Sequence, residues 1–372
     1  MSDITLSTGI RQNLLSLQNT SNDLTTTQQQ LATGKKVNTA FDNPTAFFTS
    51  QSLTNRSNDL SALLDQIGQA QQTLNAANDG LTGLTSLLEQ ALSTAQQAQQ
   101  ATNDTAGSTT GSVVLTTNTL AAGNLLIATG GSTYTVSVAA SAALSTIESD
   151  INGTAGLGSS GAVTASDDGS GHLVLTGNSP STTFTASGAE QAAFGLVSTA
   201  VAGTSSTRTT LQANYNSLLT QIDQLAGDSS YNGVNLLNGN NLQVNFNENG
   251  TSSLTITGVN FNHLGLGLSA IAGSGFQSGT TITTAETAIN AAIAQVRAQT
   301  ETFGTNSSTI STRQTFETNL INTLQTGASN LVLADQNQAS ANLLTEQTQQ
   351  QLEISALSIA NEANQSVLKL FG

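Results

Sequence analysis

The sequence predicts a mainly helical protein with a β-containing insert in its middle. Apolar residues recur every seven positions over long stretches toward both chain ends. The stretch 104–203 is instead rich in Gly, Ser and Thr with short alternating apolar runs, and the 372 residues include only 2 Pro. Heptad spacing places apolar side chains on one helical face, whereas alternation with a period of two is typical of strands.

Two heptad patterns lie in the N-terminal part of the chain. Ile10, Leu17, Leu24 and Leu31 recur at intervals of seven, with Leu14 beside them, and predict one helical stripe. After an interruption the same interval returns and predicts a long second helix. Its members are Leu53, Leu60, Ile67, Leu74, Leu81, Leu88 and Ala95.

Two more patterns follow the insert. Leu211, Leu218 and Leu225 predict a third helix, which Gly227 would end as a C-cap. A fourth helical pattern continues to the end of the chain, interrupted by the polar residues Glu317, Gln338 and Thr345. It comprises Ile282, Ile289, Val296, Phe303, Ile310, Leu324, Leu331, Leu352 and Ile359, with Ala356, Ala363 and Leu370 as a second row.

Short β patterns interrupt the helices. Within 104–203, alternation at 134–138 and 173–175 predicts strands, and 144–151 and 189–196 have short helical patterns, so this stretch reads as a compact α+β insert. Between 242 and 259 two alternating runs flank Asn249-Gly250. Asn and Gly tolerate positive φ, so this segment predicts a β-hairpin.

Composition and charge exclude several classes of function. Eight Lys and Arg against 23 Asp and Glu give a net charge of −15, which would repel nucleic acid and anionic lipid, so we expect neither partner. The absence of Cys excludes disulfides, thiol nucleophiles and thiolate metal sites. Residues 1–12 lack the apolar run of a cleavable signal peptide, and no stretch is apolar enough to span a membrane. Secretion would need another exporter.

The sequence predicts no catalytic, cofactor or metal site. His172 and His263 are far apart, and neither has a zinc-type partner three or four residues away. The run 265–270 matches a loose dinucleotide fingerprint, but glycines follow where a helix should begin. Asp167-Asp168-Gly169 suits a hairpin turn better than a calcium site.

The heptad stripes alone leave two interpretations open. One is an ordinary intramolecular bundle. The other is assembly with further chains, which two observations favour. The stripes reach both chain ends, where Val367, Leu368, Leu370 and Phe371 would need a partner, and the opposite helical faces carry amides and hydroxyls rather than solvating charges.

Both ends of the chain resemble bacterial flagellin. Residues 31–43, Leu-Ala-Thr-Gly-Lys-Lys-Val-Asn-Thr-Ala-Phe-Asp-Asn, are similar to the family's Leu-Ser-Thr-Gly-Lys-Lys-Ile-Asn-Ser-Ala-x-Asp-Asp segment. Residues 347–351, 356–361 and 365–370 are similar to its C-terminal helix, and 222–225 with 231–237 to its middle helix and turn. The insert resembles another module, the flagellin IN-type repeat, at 131–136, 151–152, 171–177 and 194–196.

The resemblance implies a division of the chain into three parts. Residues 1–40 and 332–372 would form a terminal coiled coil that lines the inner tube of a filament. Residues 41–103 and 204–331 would form a helical rod with a spoke and the β-hairpin, and 104–203 a small solvent-facing α+β domain. The protein would then be the structural subunit of the extracellular flagellar filament for swimming motility, exported through the flagellar type III apparatus. It would be no enzyme and need no cofactor.

Three sets of residues are assigned on this basis. The inner-tube assembly interface comprises Ile10, Leu14, Leu17, Leu24, Leu31, Leu352, Ala356, Leu357, Ile359, Val367, Leu368, Leu370 and Phe371. The spoke comprises Lys35, Lys36, Asn38, Asp42, Asn43 and Arg56. The rod core comprises Leu53, Leu60, Ile67, Leu74, Leu81, Leu88, Leu211, Leu218, Leu225, Ile289, Val296, Phe303 and Ile310.

The expected partner is the protein itself, in a helical homopolymer. By resemblance, hook-filament junction proteins, a filament cap and an export chaperone are further partners. Flagellins that the animal innate receptor senses strongly carry an Arg near 84–98, and this chain has none there, so weak recognition is expected. A hook-filament junction protein and a surface adhesin that binds through its outer domain are the alternatives.

Overall fold

The computed structural model describes residues 8–115, 120–158 and 161–371; within the last helix, the side chains of 364 and 367–371 are outside the description. The helices are α1 (Thr8–Thr33), α2 (Pro44–Gln100), α3 (Leu144–Gly153), α4 (Ala189–Ala193), α5 (Ser206–Asp228), α6 (Gly279–Val332) and α7 (Gln336–Phe371). The strands are β1 (Ser108–Thr110), β2 (Gly123–Thr129), β3 (Ser132–Val138), β4 (Val163–Asp167), β5 (Leu173–Gly177), β6 (Phe184–Gly188), β7 (Leu242–Asn245) and β8 (Ser253–Ile256). The predicted fold class, mainly helical with a β-containing insert, is confirmed.

The chain forms two compact units. The terminal unit comprises Met1–Gln72, Gln243–Ile256 and Asn306–Gly372, and the central unit comprises Thr73–Leu242 and Thr257–Thr305. Helices α2 and α6 contribute residues to both. The finer three-part division expected from the resemblance stays a prediction.

The terminal unit combines a helix pair with a helix–hairpin core. Helices α1 and α7 are antiparallel, because Thr20 contacts Glu353 while the later Thr27 contacts the earlier Glu346. The β7–β8 hairpin contacts α2 through the Arg56–Glu248 pair and α6 through Arg313, which lies over the Phe246 ring, and Gly250 in its turn has φ +66°. The buried residues of this core include Leu60, Ile67, Val244, Phe246, Ile256 and Ile310.

The heptad residues build the helical core of the central unit. Leu74, Leu81 and Leu88 of α2 are fully buried, as are Ile289 and Val296 of α6. Helix α5 adds Tyr215, Leu219 and Ile222, and the ring of Tyr215 lies 5.4 Å from that of Phe276. Large apolar side chains fill the space between these helices. Tertiary packing therefore stabilises helices whose Thr and Asn content gives them little intrinsic helix propensity.

The insert has its own core within the central unit. Two antiparallel three-stranded sheets, ordered β1-β5-β4 and β3-β2-β6, enclose residues such as Leu125, Ile127, Leu173 and Phe184. The predicted strands at 134–138 and 173–175 are confirmed within β3 and β5. The helical pattern at 144–151 lies within α3, and the pattern at 189–196 contains the shorter α4. At the edge of β4 the amide side chain of Asn152 exchanges two hydrogen bonds of 2.8 Å with the backbone of Ala165. This contact occupies backbone groups that another strand could otherwise pair with.

Two predicted helix ends are wrong. Helix α5 runs through Gly227 to Asp228, and Ser229 forms its C-cap. The fourth helical pattern is not one helix, because the backbone breaks between α6 and α7 at residues 333–335. There the Asp335 carboxylate accepts hydrogen bonds from the N–H groups of Asn337 (2.9 Å) and Gln338 (3.3 Å), as an N-cap does.

Candidate assembly surfaces

The contact between α1 and α7 contains polar layers. Glu353 accepts hydrogen bonds from the hydroxyls of Ser16 (2.7 Å) and Thr20 (3.0 Å), and Glu346 accepts one from Thr27 (3.0 Å). Thr20 and Thr27 are buried. The two threonines are seven residues apart, and so are the two glutamates. Two layers of this seam therefore hold a hydroxyl and a carboxylate where a soluble coiled coil has apolar side chains.

The same two helices expose large apolar side chains. Leu14 lines a shallow groove with Ile354 of α7, and Leu352 and Ile359, seven residues apart, are 66% and 67% exposed. Isolated exposed leucines are ordinary, but a group of them on two paired helices marks an interaction surface. On α7, Leu344, Leu352 and Ile359 lie within about 80° of helix rotation, on the side away from Glu346 and Glu353; we call these three residues the outward face.

The structure separates the predicted inner-tube residues into three groups. Ile10 is buried, and Leu17, Leu24, Leu31 and Leu357 are half-buried between α1 and α7. Leu14, Leu352, Ala356 and Ile359 are exposed. The side chains of Val367, Leu368, Leu370 and Phe371 lie outside the described residues. The single predicted interface thus consists of an internal seam and a separate outward face, and its role in assembly stays a prediction.

The predicted spoke begins as an ordered loop and continues as a helix. Lys36 donates its backbone N–H to Val332 O (2.7 Å) and its ammonium to Asn330 O (3.2 Å), which fixes the loop to the end of α6. The Asp42 carboxylate accepts the N–H groups of Asn38 and Thr39, both at 2.8 Å. These backbone hydrogen bonds, that of Thr39 first, lower the pKa of Asp42.

Helix α2 starts inside the predicted spoke. The Asn43 side chain accepts a hydrogen bond from the N–H of Ala46 (3.0 Å) and caps the helix, whose first residue is Pro44. Arg56 lies three turns further along this helix and pairs with Glu248 of the hairpin (2.9 Å). The spoke residues therefore contact several elements rather than one shared site.

Most predicted rod-core residues are buried. Leu60, Ile67, Leu74, Leu81, Leu88, Leu218, Ile289, Val296, Phe303 and Ile310 are in the interior. Leu53, Leu211 and Leu225 are only half-buried. On α5 the buried row is Tyr215, Leu219, Ile222 and Ala226, because a straight helix drifts from a seven-residue repeat.

A charged cluster in the terminal unit escaped the sequence patterns. Glu317 is only 2% exposed, and its Oε2 has no hydrogen-bond partner among the described residues. Burial raises the pKa of this carboxyl, with Arg313 opposing the effect and Glu248 adding to it. The guanidinium of Arg313 lies 5.2 Å from the centre of the Phe246 ring. The only feature of the sequence that pointed to this cluster was Glu317 itself, a glutamate at a heptad position of α6.

Both histidines form carboxylate pairs. His172 Nδ1 lies 2.7 Å from Asp168 Oδ2 in the β4–β5 turn, where a hydrogen bond from the Ser170 N–H lowers the pKa of Asp168 to about 2. Gly169 in this turn has φ +83°, which confirms the predicted hairpin turn. His263 Nδ1 lies 2.7 Å from Asp223 Oδ2 and fixes the loop before the buried Leu266 and Leu268 to α5.

Among the described residues, no group of three His, Cys, Asp or Glu side chains is placed to hold a metal ion. No helix in the described ranges is long and apolar enough to cross a membrane.

Comparisons with known proteins give two family matches and several relatives. Residues 8–123 match the bacterial flagellin N-terminal helical region, and 287–371 match the bacterial flagellin C-terminal helical region. Over 162 residues, 43% of this chain, the sequence is 28% identical to flagellin FljM and 26% identical to flagellins FljO and FljK of Caulobacter vibrioides. The alignments span 59% of each relative. The N-terminal and C-terminal matches occur in the family's order and together cover more than half of the chain, which therefore belongs to the bacterial flagellin family.

Proposed function

We propose that this chain is a structural subunit that polymerises into the extracellular flagellar filament and serves swimming motility. The observation that carries the proposal is the outward face of the α1–α7 pair. Leu344, Leu352 and Ile359 are exposed there, while the seam between the helices combines half-buried leucines with the polar residues Thr20, Thr27, Glu346 and Glu353. A pair with this arrangement gains stability when further chains cover it.

The expected energies suit a polymer. Burial of one large apolar side chain contributes about 1.5 to 3 kcal/mol. After the cost of association is subtracted, a few such residues give each subunit contact a modest net free energy. Because the contact repeats along the lattice, the polymer as a whole is stable. The proposed role needs neither catalysis nor a cofactor.

The remaining partners follow from family membership. We infer export through the flagellar type III apparatus with a chaperone, and contacts with hook-filament junction proteins at one filament end and a cap at the other. We expect weak activation of the animal innate receptor, since 87–92 carries no Arg.

The first test is polymerisation of the purified protein. On addition of short filament seeds we expect sedimentable fibres of uniform width in negative-stain images. The variant Leu352→Ser/Ile359→Ser should raise the critical concentration at least tenfold, because it removes two large apolar groups from the outward face. Gln349→Ser, an exposed change on the same helix, is the control. Wild-type protein that stays monomeric with seeds, or a double variant that polymerises normally, would contradict the proposal.

A further inference from the structure

Phe41 is the most exposed large apolar side chain among the described residues, at 98%. It lies in the loop between α1 and α2, next to Asp42, which accepts the two backbone N–H groups of Asn38 and Thr39. Asp42 also donates its own N–H to Thr39 O (3.2 Å). The ring is therefore presented on a loop that is already ordered, so little conformational entropy is lost when a partner covers it.

The same loop holds a concentration of positive charge. Lys35 and Lys36 are the only adjacent basic residues in a chain whose net charge is −15, and both are exposed. We call Lys35, Lys36 and Phe41 the spoke patch. An aromatic ring and positive charge carried on one short loop fit an apolar hollow with acidic edges.

The central unit contains such a hollow. A groove of about 550 Å³ between α2 and α6 has apolar walls from Leu92, Ile293, Ala294 and Ala298, and Glu89 and Glu301 are at its edge. Arg297, also in the wall, is 69% exposed, and its nitrogen lies 3.9 Å from Glu89 Oε1, beyond hydrogen-bond distance. The guanidinium therefore still has its face and donors available. We call this the rod groove.

A second acidic hollow of the chain fits less well. It lies in the terminal unit beside Asp59, Leu63 and Glu248. Glu248 there already accepts a hydrogen bond of 2.9 Å from Arg56, and asparagines form much of the wall.

We propose that the spoke patch of one copy docks into the rod groove of a second copy of this chain. The Phe41 ring lies between Leu92 and the Arg297 guanidinium, a cation–π contact, while Lys35 meets Glu301 at the edge of the groove. Two different surfaces of one chain then meet head to tail, an arrangement that extends into an open polymer. The inference rests on the proposed filament function and adds a contact separate from the outward face.

The absence of cysteine allows a direct test. Phe41→Cys protein is mixed with Ala294→Cys protein, seeded with wild-type filaments and mildly oxidised. We expect a disulfide-linked dimer on a non-reducing gel from the polymer and none from unpolymerised protein. Gln221→Cys, exposed on α5 of the same unit but outside the groove, replaces Ala294→Cys as the control. A polymer without the Phe41–Ala294 product, or with as much product from Gln221→Cys, overturns the inference.

Charge reversal tests the same contact without cysteines. Lys35→Glu and Glu301→Lys should each raise the critical concentration severalfold, and the two changes in one chain should restore most of the loss, since the new charges again attract. Circular dichroism checks that each variant is folded. If wild type polymerises and neither single change has an effect, only the docking inference fails. If wild type does not polymerise, the filament function fails with it.

Discussion

At the scale of single residues, the sequence did not predict the polar contacts between residues that are far apart in the chain. Thr20 and Glu353 are separated by more than 300 positions, and neither stands out in a pattern that follows apolar periodicity. Glu317 did stand out, as a polar interruption of a heptad row, but its burial against the hairpin and α2 could not be read from α6 alone. Leu74, Leu81 and Leu88, by contrast, were placed in the core by spacing alone.

Glu317→Gln should stabilise the terminal unit at neutral pH. The raised pKa means that the folded state favours the protonated carboxyl. Its stabilising contribution is full below the unfolded pKa of about 4.3 and is lost as pH rises through the raised folded value. A neutral amide avoids this loss, so we expect the free energy of unfolding to rise by about 1 kcal/mol at pH 7, the lower end of the cost of an unsatisfied buried group.

Thermal unfolding of the Glu317→Gln variant at pH 7 and pH 4 measures this effect. The gain in melting temperature should be present at pH 7 and smaller at pH 4, because the raised pKa of Glu317 favours its protonated form as the pH falls. Glu301→Gln, an exposed change on the same helix, should give no comparable gain. A loss of stability at pH 7 would show that the attraction of Arg313 exceeds the cost of burial.

At the scale of elements, the break between α6 and α7 shows how far periodicity can mislead. Leu331 and Leu352 are in the same heptad phase, so the pattern carries across 333–335 although the backbone does not. The cap at Asp335 and the pairing of Lys35 with Leu333 direct the chain into a new helix there. The Asp335 side chain was the local sequence signal for this start, but polar residues are so frequent in this chain that a single Asp carries little weight.

Asp335→Ala should loosen the first turn of α7. Loss of an N-cap costs about 1 kcal/mol, which corresponds to roughly fivefold less protection from amide hydrogen exchange if the turn opens locally. Exchange measured by mass spectrometry on a peptide covering 336–342 should show this, while a peptide from the middle of α2 should not change. Asp335→Asn keeps a capping side chain and is the matched control. Equal protection in all three proteins would mean that the cap does not limit opening.

At the scale of the whole molecule, the two chain ends carry the family match, whereas 124–286 lies outside it. The α+β class of the insert was nevertheless predicted from the sequence, because the alternation of Tyr134, Val136 and Val138 is a local property of one strand. Its two three-stranded sheets were not predicted, because their order depends on pairing between strands far apart in the chain. The assignment of the insert to an IN-type module stays a prediction.

Removal of the insert should leave assembly intact. Replacing 106–203 by an Asn-Gly turn joins Thr105 to Thr204, which already exchange backbone hydrogen bonds of 3.0 and 2.9 Å in an antiparallel bridge. The insert core is formed by residues from 125 to 196, so no core residue of the helices is lost. We expect seeded filaments at a critical concentration within about threefold of wild type, a change below 0.7 kcal/mol. Helical protein that no longer polymerises would show that the insert takes part in subunit contacts.

The bridge between Thr105 and Thr204 also bears on how such a protein can vary through evolution. The insert leaves and rejoins the helices at two adjacent backbone positions. A different domain whose N- and C-termini lie next to each other could be exchanged at this bridge by recombination. The packing between the helices would not change. A single recombination event at this bridge could therefore replace the insert while the helices, and with them the proposed filament contacts, stay the same.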